Sequence, residues 1–304
     1  MYVSIGGIEQ WIQIGGAGSD QPVLLFLHGG PGGSSRPAAT AWKPWEEHFA
    51  VVHWDQRGAA RTFTKNGETA SRGLTVERMV LDGIEVAEFL TRHLGKEKIL
   101  LVGHSWGSVL GIHMLKRRPE LFSAYVGTGQ FVNMQQAEKL NYRRQLTQAE
   151  HRLNREALQA LVEIGPPPYS ERAKIKVLRR WADELAEGDG DFPQPRPTPL
   201  DPDFSNADEV TAMLQGAEFT RNELFRELSG IDLLALGPQF RMPIFFFEGT
   251  CDQATPMELA ENYFAEIIAP HKEFVRFESC HHFVVMNRPD DFLRELLTRV
   301  RPWL

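Results

Sequence analysis

The sequence predicts an α/β protein, a mostly parallel, doubly wound sheet with a helical cap inserted between two of its strands. Three observations predict it. Short apolar runs at residues 23–27 (VLLFL), 99–102 (ILLV) and 243–247 (PIFFF) have the pattern of strands buried on both faces of a parallel sheet. Up to about residue 132, segments of helical spacing alternate with such runs, as βα units require. From about 133 to 236 the alternation stops, and a stretch rich in Gln, Glu, Arg and Leu intervenes before the sheet resumes. A chain of 304 residues has room for one large α/β domain with an insertion of that size. The core is therefore expected over 1–132 and 237–304, and the cap over 133–236.

Taken in order, residues 3–14 alternate and are punctuated by glycine, as in an edge hairpin. The strand at 23–27 runs directly into His28-Gly29-Gly30-Pro31-Gly32-Gly33. Residues 49–54 read as the next strand, and Asp55 and Arg57 after it are expected as a charged pair pinning loops. Residues 75–94 place Val76, Met79, Val80, Ile84, Ala87 and Leu90 at helical spacing and end at Gly95, a helix with its C-terminal signal. The strand at 99–102 is followed by Gly103-His104-Ser105-Trp106-Gly107, then by a helical pattern to Arg118 that Pro119 closes. Residues 125–128 are the next strand. In the insertion, helices are expected in 138–164 and 171–186, parted by Gly165-Pro166-Pro167-Pro168; residues 189–204 carry five prolines and exclude regular structure. The sheet resumes at 243–247, with a last strand at 274–277 and a final helix over 290–300.

Strand, G-x-S-x-G and helix in that order form a nucleophile elbow. The turn thrusts the Ser105 hydroxyl clear of the sheet, and side chains at 103 and 107 would collide with the neighbouring strand and helix. The Trp106 N–H is left unpaired at a helix start, where the dipole favours negative charge. Acyl transfer builds charge on a carbonyl oxygen and needs preorganised N–H donors; the glycine loop after the earlier strand supplies a second. Gly30 and Trp106 are assigned as these donors, and Gly29 lets the backbone approach substrate. Asp252, in the loop after the 243–247 strand, is the expected acid, with Glu248 nearer the strand as a loop anchor. His281 and His282 are adjacent in the loop before the final helix. Neighbouring side chains point apart and no Cys/His/Asp spacing surrounds them, so no metal is expected.

The net charge of −7 argues against a nucleic-acid or anionic-membrane partner. The N-terminus lacks the basic start and apolar core of a signal peptide, and no apolar run approaches the ~20 residues of a membrane span. Two cysteines, Cys251 and Cys280, are no disulfide framework; free packed thiols and a reducing cytoplasm are expected, although the two loops could bring them together.

With these pieces laid out, the chain resembles the proline iminopeptidase branch of the α/β-hydrolases. The resemblance rests on His28-Gly29-Gly30-Pro31-Gly32, Trp54-Asp55-Gln56-Arg57-Gly58, Gly103-His104-Ser105-Trp106-Gly107-Ser108, Asp252 with Thr255-Pro256, and His282. It implies an eight-stranded sheet with a helical cap, no cofactor, and release of an N-terminal residue, often proline, from short peptides. In proteins of this type the catalytic histidine commonly precedes a closing proline by seven residues; Pro289 then selects His282, with His281 as the fallback. The resemblance completes a Ser105–His282–Asp252 triad working through an acyl-enzyme. In part of the family a glutamate directly follows the triad aspartate and helps to bind the substrate's ammonium, but here Gln253 stands there and cannot compensate charge. Glu218, Glu223 and Glu227 of the cap are the expected substitutes. Three readings follow: an aminopeptidase, a carboxylesterase or amidase on uncharged acyl groups, and a ligand-binding module without turnover. The sequence leaves the oligomeric state open.

Overall fold

A computed structural model describes residues 1–304 apart from 17, 19 and 187–206, so the proline-rich stretch over 189–204 lies outside the described residues. The strands are β1 (Tyr2–Ile5), β2 (Ile8–Gly15), β3 (Val23–Leu27), β4 (Ala50–Asp55), β5 (Ile99–His104), β6 (Phe122–Thr128), β7 (Ile244–Gly249) and β8 (Lys272–Phe277). They form one sheet in the order β1-β2-β4-β3-β5-β6-β7-β8. Ile5 and Ile8 face each other across the antiparallel hairpin, and β2 pairs antiparallel with β4; every later pairing is parallel. The apolar runs explain this directly, since every residue of β3, β4, β5 and β7 is buried.

The helices are α1 (Ala60–Asn66), α2 (Val76–Leu94), α3 (Trp106–Arg117), α4 (Met134–His151), α5 (Arg155–Ile164), α6 (Arg172–Ala186), α7 (Ala207–Ser229), α8 (Met257–Glu266), α9 (Val284–Asn287) and α10 (Pro289–Glu295). Helix α2 is bounded as its sequence signals demand: Thr75 accepts the Arg78 N–H at 3.1 Å, and Gly95 closes it in the left-handed conformation. The single helix expected over 138–164 is two. Leu153 turns the chain at φ 53°, and Asn154 caps α5 by accepting the Ala157 N–H at 3.0 Å. Periodicity carries across such a break because both helices bury the same kind of face. The expected final helix stops at Glu295 and continues as a wider turn over Leu296–Val300. Helix α7, without a clear apolar stripe, was not delimited by spacing.

Helices α4 to α7 lie between β6 and β7 in the chain and share a small core of their own around Leu161, Tyr169, Leu178 and Trp181. The strand order reverses between β3 and β5, and the glycine loop and Ser105 follow the carboxyl ends of those two strands. A crevice at such a reversal is where open α/β sheets place their ligands. Among the described residues, no helix is long and apolar enough to cross a membrane.

Candidate active site

Ser105 lies between β5 and α3 with φ 54° and ψ −119°, a conformation costly for any residue with a side chain. Its N–H is tied to the Thr128 carbonyl at 3.1 Å. Close packing on both sides holds the turn. A Cβ on Gly107 would stand 2.0 Å from the Leu27 carbonyl oxygen, and one on Gly103 2.7 Å from that of Gly107. Gly107→Ala is therefore expected to cost about 3 kcal/mol or to abolish folding, because the end of β3 would have to move. Urea unfolding at the wild-type midpoint would contradict this.

The glycine loop is fixed by a buried relay. Gln56 donates its N–H to His28 Nε2 at 3.3 Å and its side-chain amide to the His28 carbonyl at 3.2 Å, while its amide oxygen accepts from the Trp106 indole at 3.0 Å. Because His28 Nε2 accepts, its Nδ1 carries the proton and donates to the Gly29 carbonyl at 2.9 Å. Burial holds His28 neutral, its pKa lowered to about 4. Gly30 sits at φ +130°, and a Cβ there would meet the Gly33 nitrogen at 2.7 Å. One side chain, Gln56, thus links the backbone before Gly30 to Trp106, the residue after Ser105.

His282 Nδ1 lies 2.8 Å from Asp252 Oδ2. Asp252 also accepts the Ala254 and Thr255 N–H groups at 2.8 and 2.9 Å and the Thr255 hydroxyl at 2.8 Å. Burial by itself would raise this carboxyl; the His282 charge and the hydrogen bonds from His282 and Thr255 outweigh it and hold the pKa below the ordinary value. The Thr255 hydroxyl also lies 3.1 Å from His282 Nδ1, so it braces acid and imidazole together. His104 donates from Nε2 to the His282 carbonyl at 3.0 Å and packs its ring 4.8 Å from that of His282. Burial, then the His282 charge, lower His104 to about 3, so it stays neutral beside the pair. Glu248, wholly buried, accepts the Gln130 N–H at 3.0 Å; burial and the Asp252 charge push its pKa well up.

Other residues singled out in the sequence sit differently. Asp55 and Arg57 do not pair with each other. Arg57 is forked onto Asp82 at 2.7 and 3.2 Å, whereas Asp55 accepts from Ser34 Oγ at 2.6 Å and the Arg61 N–H at 3.2 Å, with burial raising its pKa to about 6. Cys251 and Cys280 are free thiols in loops joined by a 2.8 Å backbone hydrogen bond.

Ser105 and His282 share the wall of a cavity of about 470 Å³, together with Gly29, Gly30, Trp106 and Gln253. The expected cap carboxylates are absent from it. Glu218 sets both oxygens on Arg172 at 2.6 Å, Glu223 accepts the Gly73 N–H at 2.6 Å, and Glu227 accepts the Val76 N–H at 2.9 Å, at the start of α2. Their faces of α7 are turned to α6 and to the core, while Arg221 and Leu228 face the cavity.

Among the described residues, the carboxylate that does line it is Glu138 of α4, 5% exposed, with Oε1 lacking a hydrogen-bond partner. Burial raises its pKa to about 7, against a hydrogen bond from the Tyr169 backbone and the charge of Arg179. Asn141 and Gln145 follow on the same helical face, and Asn141 Oδ1 and both polar atoms of the Gln145 amide are likewise buried without partners among the described residues. The signal in the sequence was polar residues at 138, 141 and 145 continuing the stripe begun by Met134 and Ala137; it reads equally as a solvated face.

Residues 22–289 match the family described as alpha/beta hydrolase fold. The probable aminopeptidase YbaC of Bacillus subtilis is 31% identical over 308 residues, spanning 98% of this chain and 95% of that protein. The proline iminopeptidase of Heyndrickxia coagulans is 24% identical over 280 residues, spanning 91% and 89%. A solved structure of a proline iminopeptidase-related protein from Thermus thermophilus superposes with a TM-score of 0.67 at 22% identity, covering 100% of this chain and 98% of that one.

Proposed function

We propose a function on the premise that this chain belongs to the α/β-hydrolase family: it is a serine aminopeptidase that releases an N-terminal residue, such as proline, from short peptides. The observation that carries this reading is Glu138, a buried carboxylate with a free oxygen in the cavity that Ser105 and His282 also line. A buried carboxylate oxygen without a hydrogen-bond partner is costly, and a substrate ammonium supplies one. This makes good the charge that Gln253 cannot provide.

In the mechanism, His282 takes the proton of Ser105 as its oxygen attacks the carbonyl carbon of the first residue. Asp252 holds the imidazole by its Nδ1 proton and stabilises the cation, and the N–H groups of Gly30 and Trp106 receive the oxyanion. The imidazolium then protonates the departing amine, leaving an acyl-enzyme. His282 next deprotonates a water that attacks the ester, and returns that proton to Ser105 as the acid is released.

The test compares the 4-nitroanilide of proline or alanine, the same compound N-acetylated, and a short-chain 4-nitrophenyl ester. Preference for the free amine, abolished by acetylation, is the expected result. Ester turnover without anilide turnover would make the protein an esterase. The pH dependence adds a second check. Glu138 must be ionised to bind an ammonium, and its raised pKa means that charge is lost as pH falls through about 7. The free-amine-to-ester ratio of kcat/KM is expected to drop about tenfold per pH unit below that point. His282 serves both substrates, so its contribution cancels in the ratio; a flat ratio from pH 5 to 8 would remove Glu138 from recognition.

A further inference from the structure

We propose that Arg221 reads the carboxylate at the far end of the substrate, so that the natural substrates are peptides of two or three residues with a free C-terminus. The inference rests on the aminopeptidase reading and specifies it. Arg221 projects from α7 into the cavity that holds Ser105 and Glu138, and its Nε is buried with no hydrogen-bond partner among the described residues. The acids nearest to it in the chain have partners of their own: Glu223 accepts the Gly73 N–H at 2.6 Å, both oxygens of Glu218 lie on Arg172, and one also accepts from Lys176 at 3.2 Å. Arg179, the other guanidinium on the wall, has an interaction of its own and acts on Glu138 through its charge. A half-buried guanidinium whose Nε has no acceptor suits a carboxylate, which its planar fork matches in two parallel hydrogen bonds.

The cavity therefore offers an anion on α4 and a cation on α7. An uncharged ester would leave Glu138 Oε1 and Arg221 Nε without hydrogen-bond partners; a peptide with a free ammonium and a free carboxylate satisfies both. Between them, the unpartnered Asn141 oxygen and Gln145 amide, the latter 1% exposed, present donors and acceptors suited to a peptide backbone. Both ends of the substrate must fit one cavity of about 470 Å³, a size that encloses a drug-sized molecule. That caps the length at a few residues.

The experiment compares a dipeptide with its C-terminal amide, the first residue being whichever the anilide assay favours. Wild type is expected to prefer the free acid by about 10- to 100-fold in kcat/KM, the range of a hydrogen bond to a charged group. In Arg221→Met that ratio should fall to near one, and in Arg221→Lys to an intermediate value. Each ratio is measured within one preparation, so partial misfolding of a variant cancels. Equal turnover of acid and amide by wild type, or an unchanged ratio in Arg221→Met, would overturn the assignment while leaving the aminopeptidase intact. Failure to cleave the anilide, the amide and the dipeptide alike would overturn both.

Discussion

Ser105→Ala is expected to lower kcat on the order of 10⁶-fold for every substrate the protein hydrolyses. The reason is mechanistic rather than structural. Alanine fits the same turn, with the same Cβ at φ 54°, so the elbow, the cavity and KM should stay close to wild type. What disappears is the atom proposed to form the acyl-enzyme. His282 remains oriented by Asp252 at 2.8 Å but has no nucleophile to deprotonate, and only the oxyanion donors and binding contribute to the residue of activity. The three groups act as a unit, so adding His282→Ala should cost little more. A stopped assay on the most reactive ester decides the matter: turnover within tenfold of wild type would end the serine-nucleophile scheme.

Glu138→Gln should separate recognition from chemistry. It keeps the shape of the side chain and deletes its charge, leaving a bound ammonium buried without an anion; losing one partner of a buried pair costs about 3–5 kcal/mol. For free-amine anilides kcat/KM should therefore fall about 10²- to 10⁴-fold, while the ester rate stays near wild type. The same change should stabilise the fold at high pH. The Glu138 pKa rises from 4.5 unfolded to about 7 folded, so the native state binds the extra proton between those values, and stability is lost as pH rises through that window. Glutamine carries no such loss. Thermal midpoints at pH 5 and pH 8 should converge in the variant and diverge in wild type; a variant less stable at pH 8 would show that Glu138 is a structural anion. Activity traded against stability in this way is the mark of a binding group kept at a cost.

Much of the frame was legible from sequence because its causes are local. The strands at 23–27 and 243–247 are apolar throughout, and residues buried on both faces of a parallel sheet can be nothing else. Thr75 and Gly95 bounded α2 through turn chemistry that acts within four residues. The elbow needed no tertiary information either, since a serine between two glycines at a strand-to-helix turn must present its hydroxyl. Other features were illegible for equally definite reasons. Asp55 and Arg57, two residues apart, look like partners, yet Arg57 reaches Asp82, because the ion pair forms between elements that meet only in the folded sheet. The break at Leu153 was hidden because two short helices packed on one core carry one continuous period.

Spacing along the chain is enough to specify the sheet, the elbow at Ser105 and the order in which the candidate acid and histidine follow it. Which cap glutamate faces the cavity follows instead from how the helices pack. Glu138, Glu218, Glu223 and Glu227 are alike as residues on polar helices. Docking of α4 against the crevice buries the first, while docking of α7 hands the other three to Arg172 and to the backbone of Gly73 and Val76. Whether a charged side chain is solvated, paired or held ready for a ligand depends on what the neighbouring helix puts opposite it, and that is a property of the packed molecule.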